Sequence, residues 1–189
     1  QDVQNLLLSD CRIKNNIALY CGGLYLKNVS SFLSNNTIAE NWGILTAGGM
    51  GITGNSTFTL FDDIRLNNIF LNYSSLASDV LIANNVPEVV NIIVDTLTTA
   101  NPDFFFISPM QYCTLSYQNT AINQIDHDLY VSPDGNDSNS GLTLDDPLQT
   151  IAWAQTLIKR NDENPHTIHL ASGTYSASLN NQKFPLNIK

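Results

Sequence analysis

Three segments in the first third of the chain align without gaps: Leu8 to Asn16 (LSDCRIKNN), Leu33 to Asn41 (LSNNTIAEN) and Ile64 to Asn72 (IRLNNIFLN). Ile13, Ile38 and Ile69 therefore recur in step with Asn16, Asn41 and Asn72, at intervals of 25 and then 31 residues. A second marker moves with the first. Gly22 to Leu26 (GGLYL) is echoed 26 residues on by Gly48 to Ile52 (GGMGI), and each is followed by an Asn/Ser turn. Every unit holds two or three short strand-like pieces separated by Asn, Gly or Ser, and none holds a helical stripe. A period in the twenties built of short strands is the mark of a β-solenoid. Leucine-rich repeats share that period, but they need an LxxLxL frame and a helical return.

The recurring Asn has a physical task in such a fold. Successive turns of a parallel solenoid lie about 4.8 Å apart, so an inward Asn can hydrogen-bond the Asn of the next turn and the backbone of its own. That arrangement satisfies polar groups that would otherwise be buried unpaired. Asn16, Asn41 and Asn72 are the expected polar ladder, with Ile13, Ile38 and Ile69 as an apolar column beside it.

Composition agrees with an all-β reading. The 189 residues are 43% hydrophobic but only 13% charged, about half the usual charged share. Asn, Ser and Thr stand in for charges, which suits strands and tight turns better than exposed helices. With eight Lys plus Arg and a formal net charge of −9, there is no basic run to neutralise phosphates, so nucleic acid is not an expected partner. No apolar run approaches the roughly 18 residues needed to cross a membrane, so no membrane insertion is expected. Cys11, Cys21 and Cys113 read as small buried hydrophobes; a Cys11–Cys21 bond stays open as an alternative.

After Tyr73 the repeat decays. Ser78 to Asn85 and Glu88 to Leu97 read as strands of a last, degenerate turn, as terminal repeats often are. Residues 98–127, broken by Pro102 and Pro109, read as an irregular or β linker, or an end cap. The last third has a new grammar: a strand at Asp128 to Val131, a long turn from Pro133 to Gly141, and a helix over about 147–159 capped by Asp145 or Asp146 with Pro147 at its first position. An alternating strand follows at His166 to Ser176 with a Gly turn, and Phe184 to Lys189 opens another strand.

Together, YVSPDGNDSNSG (Tyr130 to Gly141), DPLQTIAWA (Asp146 to Ala154) and TIHLASGTY (Thr167 to Tyr175) resemble the N-terminal cap of right-handed parallel β-helix proteins of the pectate-lyase-like superfamily, in secreted and surface proteins of bacteria. The first third resembles the later turns of the same family. The resemblance implies a right-handed parallel β-helix in inverted order: turns at 1–97, linker or cap at 98–127, and at 128–189 the opening cap and first turn of a following β-helix. Two arrangements give that order, a window from a tandem array or subunits that join head to tail. The expectation is a structural or adhesive repeat module at the cell surface or secreted. Its expected partners are copies of itself or neighbouring repeats end to end, with carbohydrate along its flank. Part of a carbohydrate-active enzyme is the alternative.

Candidate chemistry is sparse. Asp134, Asn136, Asp137 and Asn139 alternate like the oxygen ligands of a Ca²⁺ loop, making Ca²⁺ the one candidate cofactor. They lack the bidentate Glu of an EF-hand, and Asx turns joining strand to helix explain the same residues. Lyases on this fold need a basic proton abstractor, yet Arg12, Lys14, Lys27 and Arg65 sit in no acidic constellation. Glycoside hydrolases need two carboxylates about 5–10 Å apart, whereas Asp62 and Asp63 are adjacent. No catalytic residue is assigned. His166 and His169 flank a strand and are expected to face solvent.

Overall fold

The computed structural model describes residues 5–56, 59–83 and 85–186. The chain divides into two compact units, one up to Ala121 and one from Ile122.

The first unit is a parallel β-solenoid of about four turns. Its first turn runs through β1 (Asn5–Ser9), β2 (Arg12–Lys14), β3 (Ile17–Ala18) and β4 (Leu24–Lys27). The second repeats this as β5 (Ser30–Ser34), β6 (Thr37–Ala39), β7 (Trp42–Gly43) and β8 (Met50–Thr53). The third follows as β9 (Thr59–Phe61), β10 (Asn67–Phe70), β11 (Tyr73–Ser74) and β12 (Val80–Ile82). Beyond it lie the longer β13 (Val90–Leu97), β14 (Ile107–Ser108), a 3-10 turn at Met110–Tyr112 and β15 (Cys113–Thr120). Equivalent strands stack into four parallel sheets, ordered β1-β5-β9, β2-β6-β10-β13-β15, β3-β7-β11 and β4-β8-β12-β14.

Register follows the sequence repeat. Ile13 pairs with Ile38, and Ile38 with Ile69; Leu97 continues the column opposite Ile69, and Thr120 lies opposite Leu97. Period-2 alternation turns Leu33, Ile52, Ile82 and Ile92 into a dry core. Phe105 and Phe106 fill the core of the last turns, edge to face with centroids 5.1 Å apart. Residues 98–121 thus carry β14 and β15 within the solenoid unit.

The corners explain the other repeated residues. Asn15, Glu40 and Leu71 each precede a column Asn and each adopt the left-handed region, at φ 58°, 58° and 52°. That geometry turns the chain and leaves the next side chain pointing inward. The Gly-Gly marker is a matter of close approach. A Cβ on Gly23 would lie 2.2 Å from the Gly49 carbonyl oxygen, and one on Gly49 would lie 2.7 Å from Asn72 Nδ2.

The second unit is built on β16 (Leu129–Val131) paired in parallel with β17 (Ile168–Leu170). Leu129 and Val131 pack against Leu148, Ala154, Leu157 and Ile158. Helix α1 covers Ile151–Leu157, and a short α2 covers Ala177–Asn180. The cap of α1 is Thr150, whose Oγ1 accepts from Trp153 N, in place of Asp145 or Asp146. The cause is Leu148. Its backbone forms a bridge to Val131 and its N–H donates to Tyr130 O, so the chain stays extended past Pro147. The strand expected from Phe184 reaches residues 187–189, outside the described residues; Phe184 to Leu186 form no strand.

Candidate functional site

Three groups of polar side chains stand out. The first runs through the solenoid. Asn41 Oδ1 accepts from Asn16 N (3.1 Å) and Nδ2 (2.9 Å), while Asn41 N and Nδ2 donate to Asn72 Oδ1 at 3.1 and 3.0 Å. The second hydrogen of each Nδ2 goes to the preceding turn: Asn41 to Ile13 O at 2.8 Å, Asn72 to Ile38 O at 3.0 Å. Each amide is thereby saturated along the stacking axis. A parallel ladder uses the fourth position of the aligned segments. Cys11 N donates to Asn36 Oδ1 (3.0 Å), and Asn36 N and Nδ2 donate to Asn67 Oδ1 (3.0 and 2.9 Å). Asn36 and Asn67 share the 31-residue spacing of Asn41 and Asn72, which is the signal that reveals them.

The first ladder ends on a carboxylate. Asn72 N and Nδ2 both donate to Asp79 Oδ1 (3.4 and 3.0 Å), in the place the next Asn would occupy. Asp79 is buried, which pushes its carboxyl up to about 6 against the hydrogen bonds from Thr98 and Asn72.

The second group is the loop from Asp134 to Asn139. Asp137 accepts from Gln149 N (2.9 Å), Thr150 N (2.8 Å) and Thr150 Oγ1 (2.9 Å), tying the loop to the start of α1. Asn136 Oδ1 accepts from Ser138 N (2.9 Å), and Asn139 Nδ2 donates to Pro147 O (2.8 Å). Asp134 takes part through its backbone N–H, on Ser132 Oγ at 3.3 Å. Three of the four side chains thus hold the loop itself, a poor fit to a Ca²⁺ cage. Among the described residues no three His, Cys, Asp or Glu side chains converge in metal-binding geometry. Cys11, Cys21 and Cys113 are all free thiols.

The third group lies on the second unit. Asp126 and Asp128 precede β16 two residues apart, and parallel pairing with β17 brings them to His166 and His169. His166 Nε2 meets Asp126 Oδ1 at 2.6 Å, and Lys159 Nζ meets Asp126 Oδ2 at 2.6 Å. Asp128 accepts from Thr167 N at 2.8 Å and meets His169 Nε2 at 2.8 Å. Lys159, then His166, hold the Asp126 carboxyl below the usual carboxylate range; the Thr167 N–H, then His169, do so for Asp128. The His169 ring stacks on Tyr130 with centroids 4.8 Å apart and planes 17° apart. An open cleft of about 450 Å³ is lined by His127, Asp128, Tyr130, Leu142 and His166. His166 does not face solvent as expected: its side chain is only 10% exposed, enclosed against the carboxylates. The signal was the pair DHDLY and HTIH (Asp126 to Tyr130, His166 to His169), which become neighbours only once β16 and β17 are paired in register.

Stacked parallel turns, interior Asn ladders and a helix-capped second unit define a β-solenoid protein. The family described as Protein of unknown function (DUF1565), a family associated with β-helix proteins, matches residues 133–189. No curated protein and no solved structure matches the chain.

Proposed function

We propose that the chain is a non-catalytic structural or adhesive repeat module, secreted or at a bacterial cell surface. It joins end to end with copies of itself or with neighbouring repeats, and it meets carbohydrate along the solenoid flank. The observation that carries this reading is the use of the buried amides. Asn36, Asn41, Asn67 and Asn72 direct their side chains at one another and at neighbouring backbone, so the interior chemistry of the solenoid serves stacking and offers nothing to a ligand. A solenoid presents unpaired strand edges at its two ends, and a heterologous contact between such ends propagates.

The second reading, part of a carbohydrate-active enzyme, is favoured by the cleft beside Asp128 and His166, where a carboxylate, imidazoles and the Tyr130 ring converge. One experiment separates the two: light scattering and electron microscopy of the purified chain over a wide concentration range, alongside a turnover screen on pectin, alginate and related polymers. Growth into linear assemblies without turnover supports the structural module. A monomer at every concentration, or turnover abolished by Asp128→Asn, refutes it.

A further inference from the structure

We infer that the cleft on the second unit is a binding site, without catalysis, for a neutral saccharide. This rests on the carbohydrate contact in the reading above and gives that contact a site beyond the solenoid flank.

The lining residues of the cleft all belong to the second unit. Its volume of about 450 Å³ falls within the span of small-molecule sites, about 300–1,000 Å³. His127, Asp128, Tyr130 and His166 line it, with Leu142 as its apolar wall.

The cleft presents acceptors that lack donors. His166 Nε2 meets Asp126 Oδ1 at 2.6 Å. An ionised carboxylate only accepts, so Nε2 carries the proton, and in the neutral ring Nδ1 is a bare acceptor. Nδ1 lies 3.9 Å from Asp128 Oδ1, too far for a hydrogen bond, and it has no hydrogen bond among the described residues. The His166 side chain is only 10% exposed, so an acceptor left bare there calls for a donor. Asp128 Oδ1 accepts from Thr167 N and Oδ2 meets His169 Nε2, both at 2.8 Å. Each carboxylate oxygen can take two donors, so Oδ1 has a place open beside His166 Nδ1. A ligand must therefore bring two adjacent donors. Hydroxyls on neighbouring carbons supply them, one to His166 Nδ1 and one to Asp128 Oδ1.

Charge selects against ions. No Lys or Arg lines the cleft, so an anionic ligand would meet Asp128 without a counter-charge. A cationic ligand would find the carboxylates already engaged, Asp126 by Lys159 and His166, Asp128 by His169 and Thr167 N. Tyr130 and Leu142 supply an apolar side. His169 covers one face of the Tyr130 ring and does not line the cleft, so the cleft meets the rest of that ring. A pyranose carries hydroxyls along its rim and C–H groups on its faces, and the negative face of an aromatic ring attracts such C–H groups. Cleavage of a glycosidic bond needs two carboxylates flanking it. Only Asp128 lines the cleft, while Asp126 is tied to Lys159 and His166. The cleft therefore holds a sugar and does not cut it.

The test is isothermal titration calorimetry of the full chain with soluble neutral hexasaccharides of glucose, galactose, mannose and N-acetylglucosamine. Hexylamine and hexagalacturonate serve as charged probes, and a reducing-sugar assay runs alongside. His166→Gln keeps a donor for Asp126 and removes the Nδ1 acceptor. Leu142→Arg obstructs the cleft from an exposed position, and Leu144→Arg, 75% exposed and outside the cleft, is its control. Circular dichroism with thermal melting checks that each variant folds. The expected result is that at least one hexasaccharide binds wild type, that both cleft variants weaken it by about tenfold or more, that Leu144→Arg leaves it unchanged, and that no reducing ends are released. If a hexasaccharide binds wild type and all three variants alike, this site is wrong while the carbohydrate reading stands. If no hexasaccharide binds wild type, both fall. Tighter binding of a charged probe, or release of reducing ends that is lost in Asp128→Asn, overturns a neutral, non-catalytic site.

Discussion

Replacing Asn41 with Ala removes the centre of the ladder, and the structure sets the size of the effect. Four side-chain hydrogen bonds disappear: two received from Asn16, one given to Ile13 O and one given to Asn72 Oδ1. Their partners are not equally placed. Asn16 is exposed, so water replaces its lost acceptor at little cost. Ile13 O is part-buried, and Asn72 Oδ1 keeps the backbone donor Asn41 N (3.1 Å). A net bond contributes about 1 kcal/mol, and an orphaned buried group costs about 1–3 kcal/mol. Asn41→Ala is therefore expected to lose about 3–4 kcal/mol. Asn16→Ala removes one side-chain donor from an exposed position and is expected to lose about 0.5–1 kcal/mol. Asn72→Ala strands groups on both sides in the dry interior and is expected to lose about 4–5 kcal/mol. Against a typical domain stability of about 5–15 kcal/mol, the substitutions at Asn41 and Asn72 are severe. The assay is urea unfolding followed by fluorescence of Trp42, the one Trp of the first unit, in a Trp153→Phe background that silences the other. Hydrogen exchange at the Ile38 and Ile69 amides supplies a probe independent of two-state behaviour. Equal losses at positions 16 and 41 would refute the ladder as a source of stability.

Three further outcomes are expected. Leu71 holds a left-handed corner at φ 52°, so Leu71→Asn relieves strain and raises stability by about 1 kcal/mol in the same urea assay. Asp79, raised to about 6 by burial, is favoured as the neutral acid: its contribution is fully present below the ordinary value of 3.8 and is lost as pH rises through about 6. Asp79→Asn is therefore expected to melt higher than wild type at pH 8, by on the order of 3 kcal/mol, with the gap closing by pH 4; a gap independent of pH would sink this account. Asp137→Ala removes three hydrogen bonds that fasten the loop to α1 and is expected to cost about 2 kcal/mol in the second unit, while Ca²⁺ titration leaves the melting of wild type unchanged. A calcium-dependent rise lost in Asp137→Ala would restore the metal reading.

The solenoid is visible in the sequence because its constraint repeats. Ile13, Ile38 and Ile69 occupy one column, so the same residue type returns at each turn, and the Asn beside it returns for the same reason. Asn36 and Asn67 carry a weaker signal because the first turn has Cys11 in their column, where only the backbone N–H takes part. Local propensity points to the wrong cap for α1: Asp146 has the right chemistry for a cap, but its carboxylate accepts from Ser140 N and Oγ, while the Leu148 bridge delays the helix. The cluster of Asp126, Asp128, His166 and His169 has no local signature at all. It depends on a pairing across 40 residues that periodicity does not encode. Asp79 is hidden for a different reason: it stands in the register position of Gly23 and Gly49, where the preceding turns carry no side chain.

The unequal turns of the first unit carry one more consequence. The step from Asn16 to Asn41 takes 25 residues and that from Asn41 to Asn72 takes 31, yet each raises the chain by a single strand spacing of about 4.8 Å. The surplus is absorbed where Ser31 meets Thr59 and Thr37 meets Asn68, at the corners on either side of β9. Such a molecule measures distance by counting turns and is indifferent to the number of residues in each. A corner loop can lengthen or be exchanged without changing the height of the turns above it, so loop length and the rise of the stack can be altered independently.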